Sequence, residues 1–223
     1  TGCGKSQTSR AIADALDVPL RERNVLFEAA GYARPYSEAT LSESELAHHR
    51  RLVASILQRH EPFFAVAIDR HWNVRMANRP GEAFLDPFFG PGGIEEPPEP
   101  NLARLLFHPA GLRSCIVNWP EASAHFWGRL HRELVRNPLD EDLDSLLEEI
   151  ASYGDFATRP PKPSRRPALE LELAMDGMEL SLIGSVLAFD SARSPALEEL
   201  RIETFFPADD RTARQLATRP LAD

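Results

Sequence analysis

The chain has few cysteines and no long apolar run. Its two cysteines, Cys3 and Cys115, lie far apart and neither belongs to a CxxC pair, so the sequence indicates neither a disulfide framework nor a zinc site. No apolar stretch approaches the roughly 20 residues that a membrane-spanning helix needs, and the first residues show no signal-peptide pattern of a basic end and an apolar core. We therefore expect a protein that works in the cytoplasm and does not enter a membrane.

Patterns typical of enzyme sites are also missing. Gly4-Lys5-Ser6 matches the end of a phosphate-binding loop, but the earlier glycine and the strand of that motif are not seen. No spacing along the chain groups a nucleophile with a base and an orienting carboxylate, or a third ligand with a metal-binding pair of histidines. The candidates weighed for acid–base chemistry are Asp69, His71, His108, His125 and His131. The sequence therefore predicts no enzyme, no metal site and no cofactor.

Basic residues are fewer than acidic residues, and they are unevenly distributed along the chain. The 34 acidic and 25 basic residues give a net charge of −9, which argues against a nucleic-acid surface spread over the whole chain. Residues 1–60 hold eight Lys and Arg against seven Asp and Glu, a balance of +1, so the other residues carry −10. The acidity is therefore confined to the later part, and the N-terminal part is free to meet a polyanion such as DNA.

The clearest pattern that is present is a β-hairpin. Residues 64–68 alternate apolar with small side chains, residues 69–73 have turn chemistry, and residues 74–76 resume the alternation. Asn78 follows as a candidate N-cap for a helix. The pattern predicts a hairpin with one buried face, which fits either the start of a PAS-type sensor domain or a structural hairpin in any α+β domain.

Two short amphipathic helices are predicted before the hairpin, over residues 9–20 and 21–32. In the second, Val25, Leu26 and Ala29 are expected to face inward, and Gly31 is expected to end the helix. Two helices of this length cannot bury a core alone. They are interpreted as the end of a helical domain.

A third helix is predicted over residues 41–60, because Ser42 and Glu45 have capping-box spacing and an apolar stripe follows. The stripe consists of Leu46, Val53, Ile56 and Leu57. Two interpretations stay open. The stripe either packs within its own domain, or it belongs to a linker helix that pairs with a second subunit.

The later part alternates between helical and strand patterns. Helices or helical turns are predicted at residues 80–89, 101–109, 119–137, 143–153 and 191–200. Asn101 is expected to cap the second of these, with Leu102, Leu105 and Leu106 inward. The fourth is expected to carry Leu143, Leu146, Leu147 and Ile150 on one face. Strands are predicted at residues 169–173, at 203–206, and as two short strands between 178 and 189. The Pro-rich segments 90–100 and 158–167 are expected to be a loop and a linker.

Several motifs resemble one family of regulators. Lys5–Arg10, Ala13–Asn24 and Ala29–Ala33 resemble the last part of a Cro/repressor-type helix-turn-helix domain, in the form found in MmyB-like transcription regulators of bacteria. Asp69-Arg70 and Trp72–Val74 are similar to the start of the PAS-like domain that follows in that family. The resemblance implies DNA binding through the N-terminal domain, with its recognition helix outside these residues.

The later motifs extend the resemblance. Arg113, Trp119, Glu121, Ala124 and Leu130 fall where the family's arginine, tryptophan and long-helix residues usually fall. One departure is His131, which stands where the family more often has arginine; a neutral imidazole cannot replace a permanent positive charge.

The expected fold is α+β, with a small N-terminal helical part (a truncated helix-turn-helix) followed by a PAS-like antiparallel sheet with flanking helices. We expect residues 1–36 to be the end of the DNA-binding domain, 37–61 a linker helix, 62–210 the PAS-like ligand-binding domain, and 211–223 a C-terminal tail. The resemblance implies a homodimeric, DNA-binding transcriptional regulator whose PAS-like domain senses a small apolar, fatty-acid-like ligand. The alternative is a PAS-like protein-interaction module without a small-molecule ligand.

An apolar cavity is expected between the first strand, the strand at 169–173 and the helix from Trp119. Asn78 and Arg113 are expected to anchor a polar head group, since both can bond a carboxylate. The residues predicted to bind the ligand are Phe64, Val66, Asn78, Leu106, Arg113, Trp119, Phe126, Leu130 and Leu171.

Overall fold

The computed structural model describes residues 3–16, 18–33, 35–36, 43–89, 93–94, 99–138, 140–159, 168–175, 177–189 and 195–218. The chain divides into two compact units. The first contains the residues up to Leu52 together with Ala188–Arg201, and the second contains Val53–Leu187 and the residues from Ile202 onward.

The described elements follow in chain order. The helices are α1 (Cys3–Ala15), α2 (Leu20–Ala29), α3 (Glu43–Arg59), α4 (Arg79–Leu85), α5 (Leu102–Phe107), α6 (Trp119–Arg136), α7 (Glu141–Ser152), α8 (Pro195–Glu198) and α9 (Asp210–Thr218). The strands are β1 (Ala65–Ile68), β2 (Val74–Ala77), β3 (Glu170–Met175), β4 (Met178–Ala188) and β5 (Arg201–Pro207). Single 3₁₀ turns lie at Asp86–Phe88 and Leu112–Cys115. Within the described residues, no helix has both the length and the apolar character to cross a membrane.

In the first unit, α2 turns a different face inward from the one predicted. Val25 and Leu26 are 51% and 47% exposed, whereas Leu20, Asn24 and Phe27 are buried. The reason is that Asn24 bonds both backbone groups of a later residue. Its amide donates to the carbonyl of Tyr36 (2.8 Å) and its Oδ1 accepts from the Tyr36 N–H (3.1 Å), which fixes this face toward the interior.

Two other features of the first unit concern the predicted end of a helix at Gly31 and the motif Gly4-Lys5-Ser6. Gly31 has a φ of +79° just after α2, so the predicted helix stop is confirmed. Gly4-Lys5-Ser6 lies inside α1 and therefore does not form a phosphate-binding loop.

The structure decides between the two interpretations of the apolar stripe on α3. Val53 and Leu57 are buried and Ile56 is half-buried, so the described part of the stripe packs inside the protein. It is not a free face for a second subunit, and replacing Val53 and Leu57 by Glu would bury two charges. The Leu46 side chain and Ser42, on which the capping box depends, lie outside what is described.

In the second unit the described strands form one five-stranded antiparallel sheet in the order β2-β1-β5-β4-β3. β1 pairs with β2 with Val66 opposite Ala77. All of β1 is buried, which corrects the expected single buried face. The strand is central, so its small side chains are covered as well as its large ones.

β4 is one strand of 11 residues, not the two short strands predicted. It pairs with β3 in a register that sets Leu173 opposite Leu180 and Leu171 opposite Leu182. These four leucines share one face of the sheet and are all buried. β3 pairs with β4 only as far as Ile183, so past Gly184, where the sequence pattern weakens, the strand continues beside β5.

The flanking helices complete the fold. α4 to α7 supply most of the apolar side chains that pack with the sheet. α9 contributes Thr212, whose Oγ1 accepts from the Ser181 N–H of β4 (3.0 Å), so the segment expected as a tail from residue 211 begins as an anchored helix. The α+β class is confirmed, with N-terminal helices followed by a PAS-like antiparallel sheet and flanking helices.

Candidate ligand-binding site

An apolar cavity lies in the second unit between the sheet and α4, α5 and α6. It measures about 20 Å³, which is the space that about one water molecule needs. The lining residues are Phe64, Val66, Gly81, Phe84, Leu85, Leu102, Leu106, Leu112, Phe126, Leu171, Leu173, Glu203 and Phe205. Apart from Glu203, this is a hydrocarbon surface of the kind that holds apolar ligands.

Three stacked phenylalanine rings occupy much of this region. The Phe64 ring lies 4.5 Å from Phe84 and 4.7 Å from Phe205, centroid to centroid, and both pairs are stacked. α4 can bring Phe84 this close because Gly81 has no side chain. A Cβ at Gly81 would stand 2.8 Å from the carbonyl oxygen of Ala65. The ring stack therefore joins the residue just before β1 to α4 and β5.

Five of the nine predicted ligand-binding residues line the cavity: Phe64, Val66, Leu106, Phe126 and Leu171. Two others on α6 lie elsewhere. Leu130 is fully buried in the core, and the Trp119 ring packs edge-on against Phe107 at 5.4 Å. The sequence thus predicted five of the twelve apolar or glycine residues that line the cavity.

Asn78, expected as a polar anchor, is occupied by backbone groups. Its Oδ1 accepts from the N–H of Ala65 (3.0 Å) and Gly81 (2.9 Å), and its amide donates to the carbonyls of Leu57 (3.2 Å) and Phe63 (2.8 Å). It is the N-cap of α4, as predicted. It is not among the cavity-lining residues, and its hydrogen-bonding capacity is used in place.

Arg113, the other expected anchor, is also committed. Its guanidinium donates to the carbonyls of Tyr153 and Asp155, both at 3.0 Å, and lies 5.4 Å from the centroid of the Trp119 ring. These contacts hold the segment after α7 against the 3₁₀ turn at Leu112–Cys115. A ligand head in the cavity does not reach a free guanidinium here, because Arg113 does not line it.

A charged pair beside the cavity, formed by Glu203 and Arg129, was not predicted from the sequence. Both carboxylate oxygens of Glu203, on β5, accept hydrogen bonds from Arg129 of α6, one of them at 3.1 Å. The Arg129 Cζ lies 4.8 Å from the centroid of the Trp72 ring, a cation–π contact. One sequence signal was available, since Glu203 is an acidic residue in an otherwise apolar part of a strand.

His125 lies on α6, one turn before Arg129 and close to this pair. Partial loss of solvation lowers the pKa of His125, and the positive charges of Arg129 and Arg132 lower it further. The imidazole is therefore neutral at pH 7. Arg129 supplies the positive charge that pairs with Glu203.

A second polar cluster joins the hairpin turn to α7. Possible metal-ligating atoms of His71, Asp140 and Asp142 lie within 4.8 Å of one another. Asp140, however, is already bonded: it caps α7 by accepting from the Leu143 N–H (3.2 Å), its Oδ1 lies 3.0 Å from His71 Nε2, and Arg70 approaches its Oδ2 at 3.3 Å. An arginine at the carboxylate disfavours a cation, so this cluster is structural.

No curated protein matches the chain. The family model of the MmyB-like transcription regulator ligand binding domain matches residues 50–218, which is 169 of 223 residues and includes β1 to β5. The match therefore covers the whole sheet, the cavity and the helices around it, and the chain belongs to the family of MmyB-like transcription regulator ligand-binding domains.

Proposed function

We propose that the cavity of this ligand-sensing transcription regulator takes an elongated apolar ligand of the fatty-acid type. The observation that supports this is the wall of the cavity, in which twelve of the thirteen lining residues are apolar or glycine. A hydrocarbon chain gains about 0.8 kcal/mol for each methylene that leaves water. About ten methylenes would therefore contribute ~8 kcal/mol, enough for tight binding before any head-group contact.

Binding requires the cavity to enlarge. A space of about 20 Å³ is far smaller than a long chain, so the rings of Phe64, Phe84 and Phe205 would have to change rotamer. Such repacking costs about 1–3 kcal/mol, less than the chain gains. Because the rings belong to α4, β5 and the residue just before β1, a bound ligand would favour a different arrangement of these elements, which is the differential affinity that a sensor needs.

We further propose that residues 1–36 are the end of a helix-turn-helix domain that binds DNA and that 37–61 link it to the sensor. The support is the resemblance of α1 and α2 to that domain. A regulator of this kind acts on DNA in the bacterial cytoplasm as a homodimer, so that two DNA-binding domains meet two half-sites. Sedimentation should then give twice the chain mass of 24.9 kDa, and a monomer at high concentration would contradict the dimer.

The ligand proposal is tested with saturated fatty acids and alcohols of increasing length. Native mass spectrometry should show one chain bound per protomer. At a ligand concentration 100-fold above Kd, the melting temperature should rise by about 5 to 11 °C. Phe126→Trp, which adds bulk to the wall, should weaken all of these ligands alike. Phe156→Trp is the matched control, because Phe156 packs on Phe107 at 4.9 Å and does not line the cavity.

The small cavity volume also favours a second candidate, a module that acts through protein contacts and whose cavity is only core. In that case no fatty acid or alcohol, whatever its chain length, should raise the melting temperature. Phe126→Trp would then change stability without changing any binding.

A further inference from the structure

The segment between β4 and β5 gives the sheet its own connection to the first unit. Ala188–Arg201 follows β4 and leads into β5, yet it groups with the N-terminal residues. The chain therefore passes between the two units at three points, after Leu52 within α3, after Leu187 and after Arg201. Arg201 is the first residue of β5, so this strand starts from the first unit without the help of α3.

Within the first unit, α8 of this segment caps the start of α2. The first N–H groups of a helix have no partner inside it, and Pro19, the N-cap residue of α2, makes no side-chain capping bond. Glu198 takes this role, because its carboxylate accepts from the Leu20 N–H at 2.8 Å. The helix dipole also favours a negative charge at this end of α2.

The next residue, Glu199, adds an ion pair. Its Oε1 accepts from the Arg21 Nε at 2.5 Å, and its Oε2 accepts from the Arg21 Nη2 at 3.2 Å, which is the two-point geometry of a strong charge-assisted pair. The side chains of Arg21 and Glu199 are 34% and 20% exposed, so solvent screens the pair only in part. Together with Leu20 and Glu198, these residues form the α2–α8 latch.

The strand that follows α8 lines the cavity. Glu203 and Phe205 on β5 are lining residues, and the Phe205 ring stacks on that of Phe64 at 4.7 Å. A strand rises about 3.3 Å per residue, so about 20 Å of chain joins Glu199 to Phe205. β5 lies between β1 and β4 in the sheet, and its hydrogen bonds on both sides oppose a local bend. A shift at Phe205 therefore reaches α8.

We propose that the stretch from α8 through β5 reports the state of the cavity to α2. The latch is formed while the cavity measures about 20 Å³, so it fits the position that β5 has when the cavity is small. A ligand that displaces the Phe205 ring favours another position of β5, and the latch then opens. This inference rests on the proposed sensing of an apolar ligand and adds the route by which that ligand acts.

The latch and the cavity should affect each other equally. If a ligand opens the latch, the latch opposes the ligand by the same factor, because the coupling between two sites is reciprocal. Breaking the latch should therefore tighten binding in the cavity, although no latch residue lines the cavity. A latch that only stabilises the first unit would leave the ligand affinity unchanged.

The first experiment needs no ligand. Phe205→Trp adds bulk to the cavity wall and so imitates a filled cavity. Amide hydrogen exchange of the full chain then follows Leu20, whose N–H is bonded to Glu198, and its exchange rate should rise about 5-fold or more. Phe156→Trp is the matched control, because it adds the same bulk in the second unit away from the lining residues. It should leave the Leu20 rate unchanged.

The second experiment compares the binding of dodecanoate to the wild type and to Glu199→Gln, by calorimetric titration of the full chain at pH 8. Loss of the pair with Arg21 should tighten binding about 5-fold or more. Asp14→Asn is the matched control. It also removes one negative charge and an ion pair to an arginine of α2, Arg23, but it does not involve α8, so the affinity should stay that of the wild type.

The outcomes separate this inference from the ligand proposal. If dodecanoate does not bind the wild type, the proposed ligand fails, and the Leu20 exchange rate in Phe205→Trp alone decides whether the cavity and the latch are coupled. If dodecanoate binds and Glu199→Gln holds it no more tightly, the inference is overturned while the ligand proposal stands. That comparison needs no cavity variant, so it holds even where Phe205→Trp folds poorly. An unchanged Leu20 rate in folded Phe205→Trp overturns the inference as well.

Discussion

The side chain of Asn78 connects four backbone groups, from β1, α3, α4 and Phe63, which lies two residues before β1. Asn101 has a similar structural role as the N-cap of α5. Its Oδ1 accepts from the N–H of Ala103 and Arg104 at the start of α5, while its amide donates to the His71 carbonyl. Each asparagine thus ties a helix N-terminus to the hairpin. This arrangement positions α4 and α5 over the cavity.

The first prediction is that Asn78→Ala lowers the free energy of unfolding by about 2–4 kcal/mol, because it leaves buried donors and acceptors unpaired. Denaturant unfolding measures this. Asn137→Ala is the matched control, since the Asn137 amide makes a single bond, to Glu133 at the end of α6, and should cost no more than about 1 kcal/mol. Equal losses in the two variants would contradict the role given to Asn78.

The second residue-scale prediction concerns pH and the pair formed by Arg104 and Glu149. Hydrogen bonds from Arg104 to Glu149, at 2.7 and 2.8 Å, together with one from Tyr153, lower the Glu149 pKa below its ordinary 4.5, against an opposing effect of burial. The unfolded state therefore binds more protons than the folded state in this range. Stability from the pair is present above pH 4.5 and is lost as the pH falls through the lowered pKa.

Glu149→Gln should flatten this acid limb of the stability curve. The size of the effect should stay below about 1 kcal/mol, because the pair is partly exposed. Unfolding free energies measured from pH 7 down to about pH 3 give the slope. The neighbouring exposed Glu148→Gln is the control. If both variants keep the wild-type slope, the Arg104 pair does not contribute to acid stability.

The role of a single residue could be predicted where its hydrogen-bond partners are close to it in the sequence. A cap such as Asn78 or Asn101 needs only the next helical turn, and the sequence indicates both. Glu203 was not predicted as a site residue because its partner Arg129 is 74 positions away. Asn78 and Arg113, the expected anchors, do not line the cavity. Nothing local in the sequence shows that backbone carbonyls accept from both side chains.

At the scale of elements, helix α4 depends on a close approach to β1. Gly81 stands where a Cβ would be 2.8 Å from the Ala65 carbonyl and 3.0 Å from Asn78 Oδ1. Gly128 on α6 offers a contrast, because a Cβ there would meet only the end of the Arg132 side chain, at 3.4 Å. Replacing each glycine by alanine therefore tests whether the available space or the helix propensity determines the change in stability.

The prediction is that Gly81→Ala destabilises the protein by about 1–3 kcal/mol, whereas Gly128→Ala stabilises it by up to about 1 kcal/mol. Gly81→Ala should also weaken any cavity ligand, because α4 must move. Denaturant midpoints compare the variants directly. A stabilising Gly81→Ala would mean that α4 is not held against β1 as closely as the distances indicate.

Some element boundaries followed from the sequence and others did not: the helix predicted over residues 9–20 spans Cys3–Ala15, whereas the helix predicted over residues 119–137 spans Trp119–Arg136. The alternation of residues 64–76 and the leucine spacing of α5 and α7 are strong local signals, and both are confirmed. The inward face of α2 was wrong because Asn24 finds its partner at Tyr36, 12 positions later. The unbroken β4 was missed because past Gly184 its continuity comes from β5, which lies beside it in the sheet.

At the scale of the whole molecule, the chain carries two units, each with its own buried residues. The predicted α+β order and the family resemblance are both confirmed. The division into units was not foreseen in this form, because Ala188–Arg201 belongs with the N-terminal residues. That segment includes α8, whose Glu198 accepts from the Leu20 N–H at the start of α2 (2.8 Å). No sequence pattern predicts a contact over that separation.

The last prediction separates the two units. Asn24→Ala removes both bonds to Tyr36 and should destabilise the first unit by about 1–3 kcal/mol. Because the two units are separately compact, the second unit should keep its own transition midpoint. A variant that shifts every probe by the same amount would show that the two units unfold as one.

The positions of the tryptophans make this measurable without any label. Trp72, Trp119 and Trp127 are the three tryptophans of the chain, and all lie in the second unit. Selectively excited indole emission is therefore an optical reporter of the sensor unit alone, while far-ultraviolet circular dichroism averages over both. Because Trp72 adjoins Arg129 and Phe126, its emission should also change when a ligand fills the cavity, so the protein carries its own fluorescent readout of occupancy.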